Sequence, residues 1–117
     1  MEVIVKEYIT PDGKSPFGRW FDGLNAIAAA KIRVAIARIE LGNFSNSKSV
    51  GSHVWEIKID FGPGYRVYYG FDGEEVIILL AGGTKKDSNK IFKKLNIFGL
   101  NIKKEWVVIR YGFNKKI

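Results

Sequence analysis

The stretch Val54-Trp55-Glu56-Ile57-Lys58-Ile59-Asp60-Phe61-Gly62-Pro63-Gly64-Tyr65-Arg66-Val67-Tyr68-Tyr69-Gly70-Phe71 decides the fold. Two alternating runs flank the turn-rich connector Phe61 to Gly64, and alternation of period two broken by Gly and Pro is the signature of a hairpin. Successive strand side chains point to opposite faces, so Trp55, Ile57 and Ile59 share one face and Glu56, Lys58 and Asp60 the other. In the second strand Val67, Tyr69 and Phe71 belong with the apolar set. Arg66 and Tyr68 then join Lys58 on a face expected to be open to solvent.

Beyond the hairpin, Asp72-Gly73 signals a tight turn into Glu75 to Ala81, whose continuous apolar run fits a central strand covered on both sides. Gly82-Gly83 reads as a break after that strand, from which Lys85 reaches back to the hairpin face and nearby backbone amides help hold a phosphate. The pattern then turns helical: Ser88 is a candidate cap, Ile91, Phe92, Leu95 and Phe98 share a side, and Gly99 is a stop. Trp106 to Tyr111 has the composition of one more strand.

On the other side of the hairpin, Glu2 to Ile9 alternates as an opening strand and ends at Thr10-Pro11-Asp12-Gly13. Ser15-Pro16 is a helix start, with Phe17, Trp20, Phe21 and Leu24 at helical spacing. Asn25 caps a second helix from Ala26 to Leu41, which Gly42 stops. Ala28, Ile32, Ala35, Ile36 and Ile39 form its sheet-facing side. Ile27, Val34 and Leu41, seven apart on another side, are expected to pack on the first helix in an αα-hairpin. A polar link precedes Val54. The order β-α-α-β-β-β with a variable tail describes an α+β domain, two helices on an antiparallel sheet, with all of 1–117 in one domain and 88–117 as an atypical C-terminal segment.

Composition narrows the function. A hydrophobic share of 46% with 14% aromatics is that of a folded chain. With no cysteine, disulfides and thiolate chemistry are excluded. No run is long enough to span a membrane, and the opening Met-Glu-Val-Ile-Val lacks a signal peptide's basic region, so a cytoplasmic location is expected. The net charge of +7 is unevenly placed: 1–83 hold nine Lys and Arg against ten Asp and Glu, and 84–117 hold ten against two. A lysine-rich tail is explained by solubility before nucleic-acid binding.

Glu56, Lys58, Arg66, Tyr68 and Lys85 form the one constellation suited to chemistry. Cleavage of RNA by its own 2′-OH needs that hydroxyl deprotonated, the phosphorane charge stabilised and the 5′ oxygen protonated, which cations and carboxylates together supply. Such side chains also occur on any solvated antiparallel face. His53, the sole histidine, reads as a strand-end surface residue before a proton carrier. No spacing of ligands suits a metal, so a reaction free of metal and other cofactors is expected. The glycines of 61–64 and 82–83 match no phosphate loop.

The hairpin followed by a hydrophobic strand and Gly82-Gly83-Thr84-Lys85-Lys86 resembles the core of HigB-type killer proteins of the RelE/ParE superfamily. The likeness extends back through Ser15-Pro16-Phe17, Trp20-Phe21, the Arg/Ala/Ile helix and Leu41-Gly42-Asn43-Phe44. It implies a RelE-like fold and the toxin of a type II toxin–antitoxin system, an endoribonuclease that cuts messenger RNA in the ribosome. Lys58 then matches a base or charge stabiliser, Arg66 the arginine on the scissile phosphate and Lys85 a further cation. Glu56 stands where some relatives have lysine, which leaves the general base open between Lys58 and a nearby carboxylate. Lys86, Lys90 and Tyr68 are the expected RNA contacts. The implied partners are the ribosome, messenger RNA and an antitoxin, often a helix-turn-helix protein, with no membrane. The tail departs from the family, as a frameshifted or remodelled ending would. It keeps open two alternatives: a ParE-like gyrase inhibitor, and an inactive remnant that still binds antitoxin.

Overall fold

A computed structural model describes residues 2–95 and the backbone of 108–110. The elements are β1 (Ile4–Tyr8), α1 (Pro16–Asp22), α2 (Ala26–Glu40), β2 (Ser47–Gly51), β3 (Val54–Ile59), β4 (Tyr65–Phe71) and β5 (Val76–Thr84), with a single 3₁₀ turn at Lys85–Asp87. A third helix, α3, is described over 88–95. The three-residue β6 (Val108–Arg110) falls within the strand expected at 106–111, whose remainder lies outside the described residues, as do Phe98 and Gly99.

Local signals set the helix boundaries. The Ser15 hydroxyl accepts from the Gly18 amide and the Asn25 side chain from the Ala28 amide at 2.9 Å, each satisfying an otherwise orphaned N–H of the first turn. Gly42 takes φ +86 just past α2, where a side chain would be strained. Ser88 is not the N-cap of α3: helical backbone already begins at Lys85, and the Ser88 hydroxyl donates back to the Lys85 carbonyl.

The sheet runs β2-β3-β4-β5-β1-β6. It is mixed rather than antiparallel, because β1 lies parallel to β5, with Ile4 opposite Val76 and Glu7 opposite Leu79. The run Ile77 to Leu80 is buried throughout, so both backbone edges of β5 need partners; β4 takes one and β1 the other. The two helices α1 and α2 then carry the chain from β1 to the far edge. There the polar link contains β2, an edge strand paired with β3. Its sequence Ser-Lys-Ser-Val-Gly lacks apolar alternation because an edge strand is better left polar.

Two cores result, one on each face of the sheet. Phe17, Phe21, Ile32, Ile36 and Ile39 from the helices meet Val5, Ile57, Val67, Tyr69 and Leu79 on one face. Full burial of each such aliphatic is worth about 1.5–3 kcal/mol. On the other face Tyr8, Val54, Tyr68, Ile78 and Leu80 pack with Leu95, and Ile91 and Phe92 of α3 lie against them. Gly82 and Gly83 are no break in β5 but part of it, pairing with Val67 and Arg66. A Cβ on Gly82 would lie 2.1 Å from the Trp20 ring and one on Gly83 2.1 Å from Ile91 Cδ1, so these glycines admit close neighbours on opposite faces.

Ile27, Val34 and Leu41 do not pack on α1. They are 64%, 51% and 72% exposed. The seven-residue α1 instead packs chiefly on β5 and β1, with Trp20 over Gly82. Among the described residues no helix is long and apolar enough to cross a membrane.

Candidate active site

Strand alternation puts Glu56 of β3 and Arg66 and Tyr68 of β4 on one face, and the register sets Glu56 beside Tyr68. The face is not open. Glu56 and Arg66 are 7% exposed and Tyr68 1%, because α3 returns over this side of the sheet. Arg66 Nε lies 3.5 Å from Glu56 Oε1, and Arg66 Nη1 donates to the Tyr65 carbonyl at 3.1 Å. Among the described residues the buried Tyr68 hydroxyl has no hydrogen bond of normal geometry, and Glu56 is its neighbouring acceptor. Burial first, and then the Glu56 carboxylate, push its pKa well above the usual tyrosine value, so it stays protonated as a potential donor.

These three residues line a cleft of about 410 Å³ whose walls are β2 and the Lys85–Phe92 segment. Lys48 and Lys85 add positive charge, Ser88 and Asn89 offer neutral hydrogen-bonding groups, and Val50 and Phe92 supply an apolar wall. With Lys48, Arg66 and Lys85 against Glu56, the lining has a surplus of cations. It suits an anion, held by charge and by the donors of Arg66, Lys48 and Lys85. Lys85 is anchored at this edge by its amide, which donates to the Gly64 carbonyl at 2.6 Å.

The cleft thus unites Glu56, Arg66, Tyr68 and Lys85, but not Lys58. Although opposite Arg66 in the register, Lys58 has its ammonium 3.8 Å from Asp60 and lines a separate groove with Lys31 and Arg38 of α2. Lys86 and Lys90 are exposed outside the cleft lining. His53 is a surface residue in the β2–β3 turn, at φ +64. Lys48, Ser88 and Asn89 were missed from sequence. Recognising β2 would have found Lys48, whose register partner is Glu56. Only the placement of α3 brings in Ser88 and Asn89.

A scan against protein families matches residues 19–97 to the model described as phage-derived protein Gp49-like, a family of toxin-like proteins related to RelE/ParE-type addiction modules. The chain is also similar to a protein of Haemophilus influenzae strain Rd, 40% identical over 82 residues. That alignment covers 69% of this chain and 83% of the relative, whose printed description is "Uncharacterized protein". The matched span runs from within α1 to the end of α3 as described, so it holds α2, strands β2 to β5 and the walls that build the cleft, though not β1 or β6, and the chain belongs to the Gp49-like family.

Proposed function

We propose that this protein is the toxin of a type II toxin–antitoxin pair, with a RelE-like fold, and that it cleaves messenger RNA on the ribosome at the Glu56–Arg66–Tyr68–Lys85 cleft. The observation that carries the reading is the buried Arg66–Glu56 pair at the floor of a cation-rich cleft, with the buried Tyr68 hydroxyl beside it. Family membership supports the toxin assignment. Two helices laid on one face of the sheet support the fold assignment.

In this mechanism the 2′-oxygen attacks the adjacent phosphorus, the bond to O5′ breaks, and the products are a 2′,3′-cyclic phosphate and a 5′-hydroxyl. Among the described residues Glu56 is the only carboxylate lining the cleft, and it takes the 2′-OH proton. Arg66 and Lys48 offset phosphorane charge, Lys85 supplies the proton to O5′, and Tyr68 donates to a phosphate oxygen. Lys58, turned to the other groove, has no part in the reaction. The antitoxin is the implied protein partner.

The test is cleavage of messenger on purified ribosomes, with the new ends mapped. Lys85→Ala removes an exposed cation and is expected to lower the rate on the order of a hundredfold without changing the melting temperature. Lys58→Ala is expected to cleave at the wild-type rate. A folded Lys85→Ala protein as fast as wild type overturns the site. Intact messenger together with blocked DNA supercoiling by gyrase overturns the function in favour of a ParE-like poison.

A further inference from the structure

The surface opposite the cleft carries a second pattern. Along α2 and its C-terminal end, Ile27, Lys31, Val34, Arg38 and Leu41 follow one another at spacings of four and three, the a/d repeat of a coiled-coil seam. Every one of them is exposed. The d positions are aliphatic, 64%, 51% and 72% exposed, and the a positions are both cationic. Ala30 and Ala37, also exposed, leave room for close approach beside the seam. A groove of about 310 Å³ runs alongside, where Lys31, Val34 and Arg38 face Lys58, Asp60 and Phe61. The Lys31 ammonium sits 5.2 Å from the centre of the Phe61 ring.

We propose that this seam docks an acidic amphipathic helix of a different protein, with its aliphatics on Ile27, Val34 and Leu41 and its carboxylates on Lys31 and Arg38. Charge selects the occupant. A second copy of α2 would set cations against cations, since Lys31, Arg33 and Arg38 outnumber Glu40. The chain's own residues 96–117 hold five Lys and Arg against one Glu and are mismatched in the same way. RNA would satisfy the cations but gain nothing from three exposed aliphatics seven residues apart. An acidic helix satisfies both sets at once. The seam is on the helix layer and the cleft on the other face of the sheet, so a partner bound here leaves the cleft uncovered. This inference does not rest on RNA cleavage.

The probe is a fluorescent helical peptide of three heptads with leucine at d and glutamate at a, titrated into the full-length protein. A matching peptide with lysine at a is the control. Saturable binding of the glutamate peptide is expected, at least tenfold tighter than the lysine peptide. Val34→Asp and the Lys31→Glu/Arg38→Glu pair are each expected to weaken it at least tenfold, while circular dichroism and melting stay as in wild type. The charge-reversed protein should instead prefer the lysine peptide, a switch that no loss of folding would produce. Equal binding of both peptides, no binding, or indifference to Val34→Asp overturns the proposal. So does sedimentation showing a dimer that Val34→Asp dissolves, which would assign the seam to a second copy, or displacement of the peptide by RNA.

Discussion

Arg66 Nε lies 3.5 Å from Glu56 Oε1 in the floor of the cleft, with both side chains about nine-tenths buried. Neither charge has much water to fall back on. Arg66→Ala therefore leaves a buried carboxylate unpaired and should cost about 3–5 kcal/mol, whereas replacing both partners by apolar residues, as in Glu56→Leu/Arg66→Met, should recover much of that loss. Urea unfolding of the two single variants and the double variant checks this. Strict additivity of the single losses would show that the two groups do not interact. For activity assays it follows that Arg66→Ala is a poor probe and that the exposed Lys85 is the better one.

Tyr68 brings a pH dependence. Its folded-state pKa is raised by burial and by Glu56, so the unfolded chain loses the phenolic proton first as pH rises. The stability tied to the neutral hydroxyl is complete below about pH 10, the ordinary tyrosine value, and is lost as pH climbs from there toward the folded value. Tyr69, raised chiefly by burial, adds a loss of the same sign. Tyr68→Phe should shrink the alkaline loss without abolishing it, and should change stability little at neutral pH, since among the described residues the buried hydroxyl has no hydrogen bond of normal geometry to lose. Thermal melts from pH 7 to 11 on both proteins decide it; parallel curves would contradict this role for Tyr68.

Gly82 and Gly83 should respond unequally to a methyl group. At Gly82 the new Cβ would meet three atoms of the rigid Trp20 ring at 2.1, 2.2 and 2.5 Å, at Gly83 mainly the movable Cδ1 tip of Ile91 at 2.1 Å. Gly82→Ala is expected to cost about 1–3 kcal/mol and Gly83→Ala less. Chemical denaturation measures both, and a Trp20→Leu background should relieve the first. Equal losses would mean that Trp20 moves as freely as Ile91.

The β2–β3 turn is built of Ser52 at φ +54 and His53 at φ +64, between the paired Gly51 and Val54. Two-residue hairpin turns with both central residues at positive φ favour Asn-Gly. Ser52→Asn/His53→Gly should therefore stabilise the fold by about 1 kcal/mol. It should leave the proposed RNA cleavage unchanged, because His53 is outside the cleft lining. A drop in cleavage with a raised melting temperature would return His53 to the list of proton carriers.

The sequence by itself determined the helices and the hairpin, because their causes are local. Ser15 and Asn25 cap their own helices, Gly42 ends α2, and the alternation from Val54 to Phe71 sorts side chains between faces within one strand. Alternation and a family resemblance also named Glu56, Arg66, Tyr68 and Lys85, which the structure brings together in the lining of one cleft. Tertiary structure decided what those faces meet. The parallel seat of β1 depends on which edge of β5 the crossover leaves open, and β2 is invisible to alternation because a polar edge needs none. Packing of α3 over β3 and β4 turned an expected open patch into a cleft with a buried ion pair, and the same placement made the two glycines of β5 points of close approach rather than a break. Lys58 and Arg66 are cross-strand partners by register, but long flexible side chains answer to their nearest charges. Asp60 holds one on the groove side and Glu56 holds the other in the cleft, so a pair that reads as one site in the sequence is divided between two.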